Sequence, residues 1–203
     1  FGSRGLGDVY KRQVFNSWQN KRAATYRKIN NIPDEWGTGA TVQTMVFGNL
    51  NDKSGTGVAF TRNPSNGLKE LYGEYLINAQ GEDVVAGIRT PHPIREDKNI
   101  EQESLESKFP KVYRDILEIS TKLENHFKEV QDIEFTIENE NIYLLQTRKA
   151  KRTAQASVKV AIDMQKEGIV TKEEAITMVD ANNVTNLLHP QFVESQKKDL
   201  LTQ

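Results

Sequence analysis

The sequence predicts an α+β fold: a mainly antiparallel sheet packed by helices, followed by a short α-helical segment. Three observations carry that expectation. Two strand-like runs, residues 132–137 and 142–147, are separated only by Glu138-Asn139-Glu140-Asn141, which fits a hairpin. Val112, Ile116, Leu117, Ile119, Leu123, Phe127 and Val130 recur at helical spacing. After Arg148 the texture changes to short helical stretches.

The elements can be justified in order. Residues 14–30 read as a helix, with Val14, Phe15, Trp18, Ala23, Ala24, Tyr26 and Ile29 at roughly helical spacing. Asn31-Ile32-Pro33-Asp34-Glu35-Trp36-Gly37 is a turn, and Trp18 and Trp36 are expected to anchor packing. Residues 41–47 are rich in β-branched side chains and predict a strand that pairs with residues 58–61 across a Gly-, Asn-, Asp- and Ser-rich loop, 48–57. Residues 74–78 and 84–86 read as strands on either side of a polar corner, Gln80-Gly81-Glu82-Asp83. Residues 91–103 are a polar loop, and Pro110 fits the first turn of the long helix. Residues 153–166, 171–179 and 182–188 read as short helices, with Thr171 as N-cap and Glu174 completing a capping box. Residues 1–13 have no period, and Asp8-Val9-Tyr10-Lys11-Arg12-Gln13 matches one reading frame of a transposon end used to prepare sequencing libraries. That segment is expected to be non-native, leaving 14–150 as the main domain and 151–203 as a helical extension.

Composition narrows the function classes. The 203 residues carry a net charge of -1 and a pI near 6.4, which argues against sequence-independent nucleic-acid binding. No apolar run approaches the roughly 20 residues needed to span a bilayer. The chain has no cysteine, which excludes disulfides, thiolate metal sites and a cysteine nucleophile and fits a cytoplasmic protein. His92, His126 and His189 lack a second histidine or an acid at metal-ligand spacing and read as structural or solvated. No Gly-x-Ser-x-Gly elbow is present.

The hairpin carries the chemistry. Side chains alternate faces along a strand. If Asn139-Glu140-Asn141 forms the loop, Glu134 lies opposite Gln146 and Asp132 opposite Arg148. One face then holds Asp132, Glu134, Thr136, Gln146 and Arg148, with Leu144 as an exception, and the other holds Ile133, Phe135, Ile137, Tyr143 and Leu145. Two carboxylates two residues apart can share a magnesium ion, an amide oxygen can add a ligand, and a guanidinium offers a fork for phosphate. The same face could equally be a solvated strand face with a cross-strand Asp–Arg pair. Gly55-Thr56-Gly57 could let backbone N–H groups approach a phosphate, or be a flexible hairpin tip. Glu82 and Asp83 could bind a ribose hydroxyl or a metal, or simply make a turn.

Four long words go further. Val42-Gln-Thr-Met-Val-Phe-Gly48, Ser54-Gly-Thr-Gly-Val-Ala-Phe-Thr-Arg-Asn-Pro64, Gly73-Glu-Tyr-Leu-Ile-Asn-Ala-Gln-Gly-Glu-Asp-Val-Val-Ala-Gly87 and Asp132-Ile-Glu-Phe-Thr with Leu145-Gln-Thr-Arg148 resemble the pyruvate, phosphate dikinase family over about residues 14–192. The resemblance implies part of an ATP-grasp nucleotide-binding domain in a magnesium-dependent enzyme. Such an enzyme moves phosphate from ATP to a histidine on a swivelling domain and then to pyruvate, forming AMP, pyrophosphate and phosphoenolpyruvate. It implies that Gln43, Met45 and Val46 border the adenine pocket and that Glu82 faces the ribose. Asp132, Glu134 and Gln146 then hold magnesium and the ATP phosphates. Thr56, Gly57, Asp83 and Arg148 surround the terminal phosphate and the inorganic phosphate, with Asp83 and Arg148 in catalytic roles. Family members are usually homodimers. The resemblance leaves the earlier ATP-grasp half, the phosphohistidine domain and the pyruvate-binding barrel unmatched here, so these residues alone are expected not to run the overall reaction. Phosphoenolpyruvate synthase, which uses water in place of phosphate, and a non-catalytic nucleotide-binding module are the competing readings.

Overall fold

Among the described residues five strands form one antiparallel sheet, all of it after residue 45. The computed structural model describes residues 6–87, 89–96 and 102–181. The expected helix at 182–188 and His189 lie outside these residues. The chain divides into two units at Met45/Val46.

The first unit holds α1 (Leu6–Ser17), α2 (Lys21–Ile29) and a single 3-10 turn at Asp34–Trp36. The sequence predicts one helix over 14–30, and the structure has two. Asn20 makes the break: its side chain accepts from the Ala23 N–H and caps α2. Helix α1 also runs across the expected boundary at residue 13. Trp18 packs as expected, with the Arg27 guanidinium 4.1 Å above its ring. Trp36 does not, being 73% exposed.

In the second unit, β1 (Gly55–Phe60) lies between β2 (Tyr72–Ile77) and β4 (Gln131–Glu138). Both edges of β1 are therefore taken. This is the physical reason that residues 41–47 form no strand and no hairpin with 58–61, contrary to expectation. Strand β4 continues into β5 (Asn141–Lys149), and β2 is flanked by the two-residue β3 (His92–Pro93). Beyond β3 the outer edge of β2 is closed by Arg89, which donates to the carbonyls of Ile77 and Asn78. The predicted strand at 84–86 is instead part of α3 (Gly81–Ala86). Gln80 and Asp83 form a reciprocal capping box there, which outweighs the β-propensity of the valines.

One face of the sheet is apolar. Tyr75, Phe135, Ile137 and Ala59 pack against Leu105 of α4 (Leu105–Lys108) and against Phe109, Val112 and Ile116, the latter two on α5 (Pro110–Phe127). Gly57 belongs to this packing: a Cβ there would lie 2.6 Å from the Glu74 carbonyl oxygen and 2.7 Å from the Phe135 ring. Gly57→Ala should therefore lower stability by about 1–3 kcal/mol. Thermal unfolding would show it, and an unchanged melting temperature would contradict this packing.

The buried stripe of α5 continues through Ser120 to Glu124, where the neighbour becomes Arg62. Arg62 is fully buried and donates to Glu124 and to Glu167, while Thr61 donates its hydroxyl to Glu124. Glu167 caps α6 (Ala154–Lys166), so one guanidinium ties the bend after β1 to α5 and α6. A second cluster of Val130, Ala150, Val160, Met164 and Val170 seats the helical segment, which includes α7 (Lys172–Thr177). Thr171 caps α7 and Glu174 closes the capping box, as expected.

Glu129 carries a pH dependence. Burial alone would raise its carboxyl, but hydrogen bonds from Arg152 and Lys149 outweigh burial and hold it below the ordinary value of 4.5. A depressed carboxyl stabilises the fold above the unfolded value and loses that contribution as pH falls through the folded one. The stability difference between the wild type and Glu129→Gln should thus shrink as acid is added below about pH 4.5. A difference that stays constant with pH would show that the ionised pair contributes nothing.

Candidate functional site

The β4–β5 hairpin turns through Asn139 and Glu140, both at positive φ (50° and 62°), a two-residue turn rather than the three-residue loop expected. From that turn Ile137 pairs with Ile142 and Phe135 with Leu144. A bulge follows: Glu134 pairs with Gln146, so Leu145 is the extra residue on β5. Beyond it Asp132 pairs with Arg148. The expected cross-strand pairs are present, but for a different reason. Without the bulge, a two-residue turn would set Gln146 opposite Ile133 and turn it toward the core. The inserted residue brings Gln146 and Arg148 to the face that carries the acids.

On that face the Arg148 Nε donates to Asp132 Oδ2 at 2.7 Å. The Asp132 side chain is 10% exposed and that of Arg148 is 62% exposed. The hydrogen bond and the charge of Asp132 hold the guanidinium above its ordinary value, with a smaller contribution from Glu134. Glu74, Val58, Glu134 and Gln146 form one cross-strand row, and Phe60, Asp132 and Arg148 belong to the next. A groove of about 860 Å³ opens beside these rows, lined by Val58, Phe60, Tyr72, Glu74 and His92 among others. The buried Nδ1 of His92 has no hydrogen-bond partner among the described residues.

Asp132, Glu134 and Gln146 offer only oxygen donors of the hard kind that magnesium prefers. No cluster of three His, Cys, Asp or Glu at metal-holding distance occurs among the described residues. A cation here would take two carboxylates and an amide from the protein and complete its shell with water or substrate oxygens. The donor chemistry fits magnesium in that mode.

The other predicted residues are placed as follows. Thr56 is buried on the acid-bearing face, its hydroxyl donating to the Phe135 carbonyl at 3.1 Å. Gly55-Thr56-Gly57 lies in β1, paired on both sides, rather than in a loop or hairpin tip. Glu82 and Asp83 occupy the first turn of α3, which packs beside β1 and β2. Glu82 is exposed, and Asp83 accepts from the Gln80 N–H at 2.7 Å. Gln43 and Met45 are exposed on irregular backbone in the first unit, whereas Val46 opens the second and is half-buried. Sequence reasoning missed Glu138, whose carboxylate accepts from the Phe47 N–H at 2.6 Å and ties the residues after Val46 to the hairpin. With the partners 91 residues apart, no local pattern could announce that bond.

Comparison with known proteins places the chain in a family. The family model described as "Pyruvate phosphate dikinase, AMP/ATP-binding domain" matches residues 9–117 and 96–169. Pyruvate, phosphate dikinase of Clostridium symbiosum is 55% identical over 179 residues, covering 88% of this chain and 20% of that protein. The enzyme of Rhizobium meliloti (strain 1021) is 52% identical over 192 residues, covering 93% and 21%. The chloroplastic enzyme 1 of Zea mays is 51% identical over 179 residues, covering 88% and 18%. The chain spans about a fifth of the length of these relatives. With a matching model across most of its length and half its residues shared with several dikinases, the chain belongs to the pyruvate, phosphate dikinase family, within the AMP/ATP-binding domain.

Proposed function

We propose that this chain is the magnesium- and ATP-binding part of a dikinase of the ATP-grasp kind. The parent enzyme converts ATP, inorganic phosphate and pyruvate to AMP, pyrophosphate and phosphoenolpyruvate, through a histidine on another domain. The observation that carries this reading is the register of the bulged hairpin, which gathers Asp132, Glu134, Gln146 and Arg148 on one face. An ordinary solvated strand face has no need of a bulge that turns an amide and a guanidinium toward two acids.

The roles follow from the residue chemistry. Asp132, Glu134 and Gln146 would hold magnesium with the ATP phosphates. Magnesium, when bound, supplies neutralisation of the triphosphate charge and a template for its orientation. Arg148 offers a planar fork to the terminal phosphate oxygens and to inorganic phosphate. Asp83, Thr56 and Gly57 are assigned to the terminal phosphate and the inorganic phosphate. Glu82 is assigned to the ribose, and Gln43, Met45 and Val46 to the adenine. Phosphoryl transfer is mainly positioning and charge stabilisation, which suits groups mounted on paired strands.

The parent is read as a cytoplasmic homodimer in which the phosphohistidine and pyruvate-binding domains complete the cycle. Among the described residues no helix is long and apolar enough to cross a membrane. The test uses the full-length parent with ATP, magnesium and pyruvate, with and without inorganic phosphate, and follows pyrophosphate. Phosphate-dependent pyrophosphate formation is the expected result. Phosphoenolpyruvate and AMP formed without any need for phosphate would move the protein to the water-using relatives.

A further inference from the structure

We infer that Arg148 is a latch on the metal-binding carboxylate: it must leave Asp132 for the site to take up a divalent cation, and on leaving it becomes the receptor for a phosphate oxygen. This rests on the function proposed above and adds a coupling between the two halves of that site.

Three observations carry it. The Asp132 carboxylate is 10% exposed, so little solvent reaches it, and the Arg148 Nε takes up its Oδ2 at 2.7 Å. A guanidinium in that position repels a second cation within a few ångströms and competes for the same lone pairs. The pairing is also a single-point one. Only Nε engages Asp132, and among the described residues the Nη groups of Arg148 donate to nothing. A guanidinium binds best through two parallel bonds, which a phosphate can offer and this arrangement does not. Finally, Arg148 is 62% exposed on β5, just past the bulge, whereas Asp132 is fixed inside the sheet. The arginine can swing and the acid cannot. The Arg148–Asp132 bond and a cation on Asp132 therefore exclude one another, and cation uptake frees the guanidinium for the anion. Such coupling is reciprocal: anion capture by Arg148 strengthens cation binding by Asp132 to the same degree.

The experiment uses the full chain without nucleotide. Mn²⁺ binding is followed by electron paramagnetic resonance. The Arg148 Nε–H resonance is followed by ¹⁵N NMR during addition of Mg²⁺. Arg148→Ala should bind Mn²⁺ roughly three- to tenfold more tightly than the wild type. Because losing any nearby positive charge favours a cation, the resonance is the stricter readout. It should move from a carboxylate-bonded to a solvent-exposed position as Mg²⁺ binds. Asp132→Asn should also raise metal-free affinity for inorganic phosphate more than Glu134→Gln does, although each removes one negative charge. A resonance that stays on Asp132 while Mg²⁺ binds would overturn the latch and leave the metal site standing. So would equal phosphate gains in the two variants. Absence of any Mn²⁺ binding by the wild type, with the chain folded, would overturn both the metal reading and the latch.

Discussion

Asp132→Asn in the full-length parent should reduce ATP-dependent phosphorylation of the carrier histidine on the order of a hundredfold or more, with the fold intact. The substitution keeps the shape of the side chain and removes the charge that would face magnesium. Losses of that size are typical when a group that stabilises charge in a transfer reaction is removed. Glu134→Gln should follow it, since both acids lie on one face in neighbouring rows. Glu74→Gln is the control: it removes a carboxylate from the row of Glu134, separated from it by the whole width of β1. It should leave histidine phosphorylation within a few-fold of the wild type. The measurement is single-turnover labelling from β-labelled ATP, read beside thermal unfolding. Near-normal labelling in Asp132→Asn would remove that residue from the metal site.

The largest effect on stability is expected at Arg62. Its guanidinium is fully buried and bonded to two carboxylates, of which Glu124 is itself buried. Arg62→Met leaves Glu124 without its main counter-charge and should cost about 3–5 kcal/mol. In a chain of this size that corresponds to roughly 10 °C in melting temperature. The damage is assigned to the stranded charge rather than to lost attraction. Arg62→Met combined with Glu124→Leu should therefore recover much of the loss, because a well-packed apolar pair often matches a buried ion pair. A double variant as unstable as the single one would show that the guanidinium acts through its shape and its bond to Glu167 instead.

What the sequence revealed, and what it hid, divides by the range of the interactions. The α5 period, the Thr171 and Glu174 capping box and the apolar alternation of β4 are local patterns, and each is present in the structure. Residues 41–47 look like a strand, but their expected partner was already paired on both edges, a fact of topology that no short window contains. The valines after Asp83 look like a strand, and a cap three residues long decided for helix. On α5, Leu117 and Phe127 are exposed while Ser120 and Glu124 lie in the buried stripe. Glu124 is buried because Arg62, 62 residues earlier, reaches it. The candidate site was legible as a pairing of Glu134 with Gln146 and Asp132 with Arg148, but the bulge that makes the pairing possible was not. Its Leu145 is an ordinary strand residue, and only the turn geometry of Asn139 and Glu140 shows that one residue is in excess.

The central claim is that the bulged hairpin face binds the metal of a metal–ATP complex. The most direct measurement is a crystal structure of the full-length parent with Mn²⁺ and a non-hydrolysable ATP analogue, using the anomalous signal of manganese. The account predicts a peak about 2.0–2.3 Å from carboxylate oxygens of Asp132 and Glu134, with the analogue's phosphates on its other side. A manganese peak on other residues, with the hairpin face unoccupied and Arg148 still bonded to Asp132, would contradict it.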